Sequence, residues 1–463
     1  MSKNIYQQDL VYLYKLLKDV HPAFIANDCC CIKLEEYFIE ANQSLSRNNI
    51  SFEQFELMLA KMISFLHDSH TTIFFDSLKG VFPIIIKSFN GTLYVDAISS
   101  KYKDITGKVI AGINDRSVKQ VKDIFSYYLS YENEIKRDIL LAYFLNNKSL
   151  LHATKILPLD SHLEIELEDG DVVSLRETEA LGVDCFRLKK TQSETTTSIP
   201  FHFMIDDMQK IGYMQFNAMF DQITYKYGCE MQCIKPDEKI LKSLPVFSGF
   251  MEGLCNELVE KQIKILVIDM RYNGGGNSLL GNILLEALGI DMESVKMPKC
   301  HVRLSEFLCH QYPDLYDMEM YYEYKDKFFK KSENELIKNL FKMSDNAKKY
   351  KGKVIFLQGQ YTFSSAVYFL SIIKDNHLFP IIGNCTSQPP SCYGDILPFS
   401  LPLTHIRGTI SYSRFLRPDI RKNGENTLSP DQEIQYTMND LISGVDKCRN
   451  MTIPDFIRLL PDG

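Results

Sequence analysis

The sequence is organised around the stretch Gly359-Gln360-Tyr361-Thr362-Phe363-Ser364-Ser365-Ala366. The apolar run 354–357 precedes it and is typical of a buried strand, and a pattern of apolar residues at helical spacing follows it. A strand, a tight turn with a small hydroxyl residue and then a helix is how an α/β enzyme presents a nucleophile. The unpaired N–H groups at a helix N-terminus favour developing negative charge there. The plainer alternative is that Ser364 only caps the helix, since serine is a preferred capping residue.

A second stretch, residues 266–277, reads Leu-Val-Ile-Asp-Met-Arg-Tyr-Asn-Gly-Gly-Gly-Asn. Its three consecutive glycines stand between a strand pattern and a helix pattern, and they let the backbone approach a ligand closely. A phosphate cradle is disfavoured, because no Lys-Ser/Thr pair follows and the G-x-G-x-x-G order is absent. An oxyanion hole fits better, with Asp269 and Arg271 bracing the turn as an ion pair and Asn273 tying it by hydrogen bonds. A flexible glycine turn is the structural alternative.

A serine nucleophile needs a base within hydrogen-bond reach and usually a third group that orients the base. Among the ten histidines, His70 stands out because it follows the end of a helical pattern and is preceded by Asp68 and Ser69. The alternative for His70 alone is a structural or solvent-exposed histidine.

Composition limits the classes of protein that fit. A chain of 463 residues predicts two to four units, and 45% hydrophobic with 24% charged residues is normal for a globular protein. The net charge of −7 gives no reason to expect nucleic acid as a partner. No apolar run is long enough for a membrane helix, and the N-terminus is polar and acidic where a signal peptide is apolar. We therefore expect a cytoplasmic location for the chain as written, with a removed signal left open.

Twelve cysteines in a chain of this length do not predict a disulfide scaffold. Cys229 and Cys233 are close in sequence, and Cys300-His301 is echoed by Cys309-His310, but no second close pair completes a zinc spacing. Reduced and mostly buried thiols are the expectation, with no metal.

Changes in pattern predict the domain organisation. Residues 1–70 predict a helical unit, because apolar residues recur there at spacings of three and four. Residues 71–188 predict a small β-rich domain, and the polar residues 189–200 a linker or exposed loop. Strand and helix patterns then alternate over residues 201–463, which predicts an α/β core. A Tyr-, Lys- and Glu-rich helical insertion at about 290–350 interrupts the core, and insertions of this kind often cap a site.

Together these stretches resemble the tail-specific (C-terminal-processing) serine peptidases and the related tricorn core protease. The segment 269–276 is similar to the family's D-x-R-x-N-x-G-G signature, and 362–366 to its nucleophile turn, with Ser364 at the nucleophile's position. Four more stretches follow the family's order. Asp68-Ser69-His70-Thr71 resembles its D-[SG]-H-T motif, 107–114 a degenerate PDZ-like module, and Tyr393-Gly394-Asp395 with Ser429-Pro430-Asp431 its C-terminal segments. The resemblance implies a multi-domain α/β fold with a crotonase/ClpP-like catalytic core, an N-terminal helical unit and a PDZ-like domain.

One departure from the family matters for the mechanism. The tail-specific peptidases use a lysine base about 25 residues after the nucleophile, and that place is Pro389 here, which cannot accept a proton. The tricorn-like arrangement uses a histidine, an adjacent serine and a distal glutamate instead. Carried over to this sequence, it implies His70 as the base, Ser69 as its neighbour and Glu425 as the distal carboxylate, with Glu433 as the second candidate.

The function implied is peptide hydrolysis through an acyl-enzyme on Ser364, with His70 moving the proton. The backbone N–H groups of Gly275 and Ser365 would bind the oxyanion, and an extended peptide would add to a sheet edge near Tyr393 and Gly394. The expected partner is a peptide or protein substrate, without metal or organic cofactor, and a homo-oligomer is left open. The alternatives are a catalytically silent member that binds peptides or apolar ligands, and an enoyl-CoA-hydratase-type enzyme. The latter is disfavoured because it explains neither His70 nor the Ser364 turn.

Overall fold

The computed structural model describes residues 5–26, 28–47, 49–75, 80–158, 161–177, 185–232, 234–330, 339–451 and 454–456. Contacts divide the chain into two compact units. The first consists of Met1–Lys189, Val302–Phe329 and Tyr393–Arg414, and the second of Lys190–His301, Lys330–Cys392 and Phe415–Gly463. This division is twofold, so the three-domain organisation expected above stays a prediction.

The first unit begins with four helices: α1 (Ile5–Val20), α2 (Ala23–Ala26), α3 (Cys30–Leu45) and α4 (Phe52–Ser64). The apolar stripe of α1 is fully buried at Leu10, Leu13 and Leu17. A capping box fixes the start of α4, because Ser51 and Gln54 satisfy each other's backbone N–H groups. Helix α4 delivers the chain into a turn that carries His70.

After these helices, the described part of residues 72–187 contains short strands and three α-helices. Their order is β1 (Thr72–Ile73), β2 (Ile84–Phe89), β3 (Thr92–Ser99), β4 (Ile110–Ile113), β5 (Arg116–Ser117), α5 (Val118–Ser126), α6 (Glu134–Phe144), α7 (Lys148–Ala153), β6 (Leu163–Leu167), β7 (Val172–Leu175) and β8 (Cys185–Arg187). Strands β2, β3 and β8 form one antiparallel sheet, and β5, β4, β6 and β7 form another. The alternating pattern of β6 buries Leu163, Ile165 and Leu167 and exposes the glutamates between them. The two sheets share one hydrophobic core with helices α5 to α7.

The second unit contains α8 (Gln192–Thr195), β9 (Phe201–Asp206), β10 (Ile211–Phe216), α9 (Gln222–Met231), α10 (Glu238–Ser243), α11 (Phe247–Glu260), β11 (Ile265–Asp269) and α12 (Leu279–Ala287). The following region has β12 (Lys299–Val302), α13 (Glu306–Gln311), α14 (Met318–Tyr324) and β13 (Phe329–Lys330). The expected helical insertion at 290–350 therefore carries two strands as well as helices, and residues 331–338 lie outside the described residues.

The remaining elements are β14 (Lys353–Gln358), α15 (Ser365–Asp375), β15 (Ile381–Gly383), β16 (Cys392–Ser400), β17 (Arg407–Leu416), β18 (Gln432–Glu433) and α16 (Met438–Ser443). A five-stranded sheet, mainly of the first unit, has the order β1-β17-β12-β13, with β16 paired to β17. Strand β1 lies antiparallel to β17, with Thr72 opposite Thr409.

The second unit is built on a six-stranded sheet in the order β18-β15-β14-β11-β10-β9. All neighbouring strands are parallel except β9, which lies antiparallel to β10 at one edge. Strand β11 is buried along its whole length, as expected for a parallel strand covered on both faces. Helices α11, α12 and α15 contribute to the main core against this sheet. The predicted α/β class with several domains is confirmed.

The prediction for residues 189–200, a linker or exposed loop, is wrong in part. The boundary between the two units falls at Lys189/Lys190, within the expected linker. Residues 192–195, however, form helix α8, and Ser193 is fully buried. A capping box between Thr191 and Glu194 stabilises this helix locally. The polar composition misled the prediction because Ser193 is buried through hydrogen bonds, among them one from its Oγ to Asp446 at 2.8 Å.

Among the described residues, no helix combines the length and the apolar character that crossing a membrane requires.

Candidate active site

Two loops of the second unit leave the same edge of the parallel sheet. Strands β11 and β14 are neighbours with Asp269 opposite Leu357, so their carboxyl ends lie side by side. We call residues 270–277 after β11 the glycine loop, and residues 359–364 after β14 the serine turn. In open α/β sheets, ligands bind outside the carboxyl ends of the strands. The sheet topology therefore brings the two predicted motifs together.

Hydrogen bonds join the serine turn to the glycine loop. Thr362 is fully buried, and its Oγ1 donates to the carbonyl of Met270 at 2.9 Å. The Phe363 N–H donates to the carbonyl of Asn273 at 2.9 Å. Beyond the turn, Ser365 Oγ donates to the carbonyl of Gly276 at 2.6 Å. These bonds hold the two segments in one fixed arrangement.

Ser364 has a strained backbone at the end of the serine turn. Its φ of 55° and ψ of −128° lie in a region that non-glycine residues rarely adopt, at a cost of about 1–3 kcal/mol. The residue occupies the N-cap position of α15, yet its side chain makes no capping hydrogen bond with the described residues. The alternative that the Ser364 side chain only caps the helix is therefore wrong, and capping does not explain the strained backbone. Strained turns of this kind between a strand and a helix expose nucleophiles in other α/β enzymes.

Gln388 holds the backbone of Ser364 and was not singled out from the sequence. Its side chain is fully buried, and Oε1 accepts a hydrogen bond from the Ser364 N–H at 2.6 Å. Gln388 directly precedes Pro389, the residue at the place where the family has its lysine. In the sequence, Gln388 is only a polar residue beside Pro389, and nothing there predicted a contact with Ser364.

Gly275 lies against Ser364 at a distance that only glycine permits. Its φ is +94°, and a Cβ added there would lie 2.7 Å from Ser364 Cβ and 2.8 Å from the Ser365 nitrogen. The Gly275 N–H donates to Asn273 Oδ1 at 2.9 Å, which fixes the direction of that N–H. The Ser365 N–H, at the first turn of α15, has no acceptor among the described residues. The backbone around Ser364 thus includes one open N–H donor and one that already has a partner.

Arg271 fixes the glycine loop through ion pairs with two carboxylates. Its guanidinium forms a two-point ion pair with Asp269, at 2.9 and 2.7 Å, and a second with Asp446, at 2.8 Å for both contacts. Burial alone would lower the pKa of Arg271, but its charged neighbours, Asp269 first among them, outweigh burial and raise that pKa well above its ordinary value. Burial would likewise raise the pKa of Asp446, and the Arg271 charge instead holds it below its ordinary value. Asn273 adds a bond from Nδ2 to the Phe216 carbonyl at 2.9 Å.

His70 lies in the first unit, in a turn that we call the histidine turn (residues 67–71). The turn leads into β1, and the Thr409 Oγ1 on β17 donates to the His70 carbonyl at 2.7 Å. The His70 side chain is 13% exposed, and its Nδ1 lies 3.7 Å from Oδ1 of the fully buried Asp68. The imidazole is therefore partly accessible and has a carboxylate on its Nδ1 side.

Asp68 is the centre of this turn, and from the sequence it had no predicted role beyond its place in the motif before His70. Its Oδ1 accepts from the His70 N–H at 3.0 Å, and its Oδ2 contacts His21 Nε2 at 3.2 Å and Thr71 Oγ1 at 2.5 Å. Burial alone would raise the pKa of Asp68, but His21 and His70 together hold it well below the ordinary value. Asp68 therefore stays ionised beneath the turn.

A second acid, Glu132, binds Ser69. Its Oε2 accepts from Ser69 Oγ at 2.6 Å, and its Oε1 from the Ser69 N–H at 3.2 Å. Burial, with a smaller effect of the Asp68 charge, raises the pKa of Glu132 above its ordinary value. Glu132 stands 63 residues after Ser69 in sequence, and no motif pointed to it.

Among the described residues, Asp68, His70 and Glu132 are the group whose side chains could each offer an atom to a metal ion, with those atoms within 4.8 Å of one another. The Asp68 and Glu132 oxygens already accept the hydrogen bonds given above, so the group is satisfied as a hydrogen-bond network. The cysteines in the described residues are free thiols, and Cys233 lies outside the described residues.

The other predicted site residues lie on separate elements. Tyr393 and Gly394 are on β16 of the first unit, and the Tyr393 hydroxyl donates to Asp28. In the second unit, Glu425 is half exposed and its Oε2 accepts from Arg417 Nη1 at 2.5 Å. Glu433 is exposed on the edge strand β18.

Comparison with known protein families finds a match for the part of the chain that contains both loops of the candidate site. The sequence of residues 210–434, which contains the glycine loop and the serine turn, matches peptidase family S41. The predicted class, a serine-type peptidase of the tail-specific family, is confirmed at the level of the family.

Solved structures with a similar fold include mature CPAF complexed with lactacystin, at 17% identity over 95% of each chain with a TM-score of 0.64. The photosystem II D1 C-terminal processing protease matches at 13% identity over 95% of this chain and 98% of that chain, with a TM-score of 0.41. The tricorn protease matches at 15% identity over 95% of this chain and 35% of that chain, with a TM-score of 0.38. At these identities the likeness to CPAF indicates a shared fold. Among curated protein sequences, none matches this chain.

Proposed function

We propose that the protein cleaves peptide bonds through an acyl-enzyme on Ser364. The observation that carries this proposal is the strained Ser364 backbone between β14 and α15, with Gly275 packed against it. Strain of this kind persists only where the surroundings enforce it, and the bonds to the glycine loop and to Gln388 do so here. A serine used only to end a strand and start a helix would not need it.

His70 is the base of the proposed mechanism. It takes the proton from Ser364 Oγ as the Oγ–C bond forms, and returns it to the amine nitrogen as the scissile C–N bond breaks. Water then attacks the acyl-enzyme carbonyl while His70 takes a water proton, and His70 returns that proton to Ser364 Oγ as the ester C–Oγ bond breaks. Partial exposure of the imidazole and the Asp68 carboxylate near Nδ1 suit this role. Pro389 removes the lysine that would otherwise serve.

The oxyanion of the tetrahedral intermediate would be bound by backbone N–H groups beside Ser364. The Ser365 N–H supports this role because it is open and lies at the N-terminus of α15. The Gly275 N–H keeps its predicted role if the bond to Asn273 is shared with the oxyanion or released to it. Removal of one such donor typically lowers kcat by about 100- to 1,000-fold.

Glu425 remains the distal carboxylate of the proposal, and Glu433 the second candidate. The Arg417 contact supports Glu425, because it restrains the carboxylate while half of the side chain stays exposed.

The substrate is an extended peptide or protein segment. It would add to the edge of β16 at Tyr393 and Gly394. Among the described strands, β16 pairs with β17 alone, so no strand lies along its other edge. Strand addition supplies affinity from backbone hydrogen bonds and leaves side-chain preference to nearby pockets.

The test is hydrolysis of fluorescein-labelled casein by the wild type, Ser364→Ala and Ser344→Ala, the last a serine outside the site. We expect release of fluorescent peptides by the wild type and Ser344→Ala, and none above background with Ser364→Ala. Equal hydrolysis by the wild type and Ser364→Ala contradicts the proposal, as does binding of casein by the wild type without hydrolysis.

A further inference from the structure

The loop between α5 and α6, residues 127–133, holds the end of α4 and the histidine turn at three points. The Ser64 Oγ donates to the Tyr127 carbonyl at 3.0 Å, and the Ser130 Oγ donates to the Asp68 carbonyl at 2.7 Å. The third point is Glu132, which accepts both hydrogen bonds that Ser69 donates. The segment that carries His70 is therefore fixed by a loop about 60 residues away in sequence.

Glu132 differs from the other two contacts because it is an acid. One oxygen of Glu132, one of Asp68 and one ring nitrogen of His70 lie within 4.8 Å of one another. The Glu132 side chain is only partly exposed, so solvent screens its negative charge less than it screens a charge at the surface. A negative charge at this distance stabilises a positive charge on the imidazole more than a neutral side chain does.

We propose that Glu132 is a positioning residue for His70, holding the histidine turn through Ser69 and placing a negative charge beside the imidazole. This inference rests on the proposed function, in which His70 becomes positively charged each time it takes the proton of Ser364. Asp68 binds the backbone of the turn at the His70 N–H, and Glu132 binds the Ser69 side chain and its N–H.

Stability separates this role from a purely structural one. Because burial raises the pKa of Glu132, its charge is disfavoured in the folded state once the pH exceeds the ordinary glutamate value. A neutral, nearly isosteric glutamine removes that unfavourable term, so Glu132→Gln should fold at least as stably as the wild type at neutral pH. A residue kept only for stability would show the opposite result.

The experiment measures the rate of labelling of the full chain by an alkyl fluorophosphonate across pH 5 to 9. The variants are Glu132→Gln, Ser69→Ala and their combination, with Ser364→Ala as the blank. Glu134→Gln is the matched control, because that glutamate is two residues away and its side chain is 83% exposed. Urea unfolding of each variant is recorded in parallel.

We expect Glu132→Gln to label about tenfold more slowly than the wild type, with unchanged or higher stability. The pH at which labelling reaches half its maximum should move to a lower value, since the carboxylate no longer favours the charged imidazole. The groups facing Glu132 are Asp68, His70, Ser69 and Lys136, and all are unchanged in this variant. The double variant should label no more slowly than the slower single variant, because both substitutions act on the same contact, the one between Ser69 and Glu132.

Wild-type labelling rate and pH profile in Glu132→Gln would overturn the inference while leaving the proposed function intact. Slow labelling that only follows a loss of stability, with an unshifted profile, would overturn it too. If the wild type and Ser364→Ala label equally, the proposed function itself fails and the inference fails with it.

Discussion

At the scale of single residues, the site depends on backbone conformations that few residues adopt. Ser364 has a positive φ without being a glycine, and Gly275 has a positive φ and no room for a side chain. The serine is held in this state by the Gln388 side chain and by the bonds to the glycine loop. Two single substitutions test whether this arrangement serves the chemistry.

Gly275→Ala should reduce activity strongly. The added methyl group would lie 2.7 Å from Ser364 Cβ, so either the serine or the glycine loop must move. A displacement of about 1 Å at a catalytic group costs roughly 100-fold in rate, and casein hydrolysis by purified variants measures the loss. Gly274→Ala is the control, because a Cβ there meets nothing within 4 Å and that variant should retain wild-type activity. Equal activity of the two variants would contradict the close packing.

Gln388→Met should lower both stability and activity. The substitution keeps the volume but removes the acceptor of the Ser364 N–H, and an unpaired donor that is shielded from water costs about 1–3 kcal/mol. Urea unfolding measures the change in the free energy of unfolding, and casein hydrolysis the effect on Ser364. Gln209→Met, at an exposed position, is the matched control. If Gln388→Met unfolds and cleaves as the wild type does, the hydrogen bond has no role in holding Ser364.

At the scale of elements, Arg271 connects the glycine loop to β11 through Asp269 and to the segment after α16 through Asp446. Ser193 on α8 joins the same network, so three segments far apart in sequence fix one guanidinium. The loop that packs against Ser364 thus depends on residues that never approach Ser364 in sequence.

Asp446→Asn should destabilise the protein by about 2–3 kcal/mol at neutral pH, since it weakens a charged hydrogen-bonded pair in a buried site. Because the folded-state pKa of Asp446 lies below its ordinary value of 3.8, its contribution is complete above about pH 5 and is lost as the pH falls through the folded pKa. The difference in unfolding free energy between wild type and variant should therefore shrink below about pH 4.

Urea unfolding at several pH values measures that difference. Asp207→Asn is the control, because its ion pair with Lys210 is exposed and should contribute little. A difference for Asp446→Asn that stays constant from pH 7 to pH 3 would contradict the account of the network.

At the scale of the whole molecule, the sequence predicted what depends on local pattern and on motifs. The α/β class and the strand before the serine turn follow from periodicity, and the family was indicated by the resemblance of the glycine and serine stretches to its motifs. The N-cap role of Ser364 failed because a serine before a helix looks the same whether its side chain caps the helix or not. The boundary between the units lies within the expected linker, but the predicted exposure was wrong at Ser193, which is buried with long-range hydrogen bonds that composition does not register.

The contributions of Gln388, Asp446 and Glu132 were beyond the sequence for the same physical reason. Each is a polar residue in a loop or just before a helix, and each acquires its partner only when the chain folds. Asp68 was visible beside His70, but its contacts to His21 and Thr71 were not. Long-range hydrogen bonds, unlike apolar periodicity, leave no regular trace in a single sequence.

The central claim is that Ser364 is a nucleophile activated by His70, and site mapping of a covalent phosphonyl adduct tests it most directly. The full chain is incubated with an alkyl fluorophosphonate at neutral pH, digested, and the modified peptide is identified by mass spectrometry in the wild type and in His70→Ala. His310→Ala serves as the matched histidine control. We predict a single adduct on Ser364 in the wild type and in His310→Ala, and at least a 100-fold slower reaction in His70→Ala. An adduct on another residue, or equal rates with and without the His70 imidazole, would contradict the account.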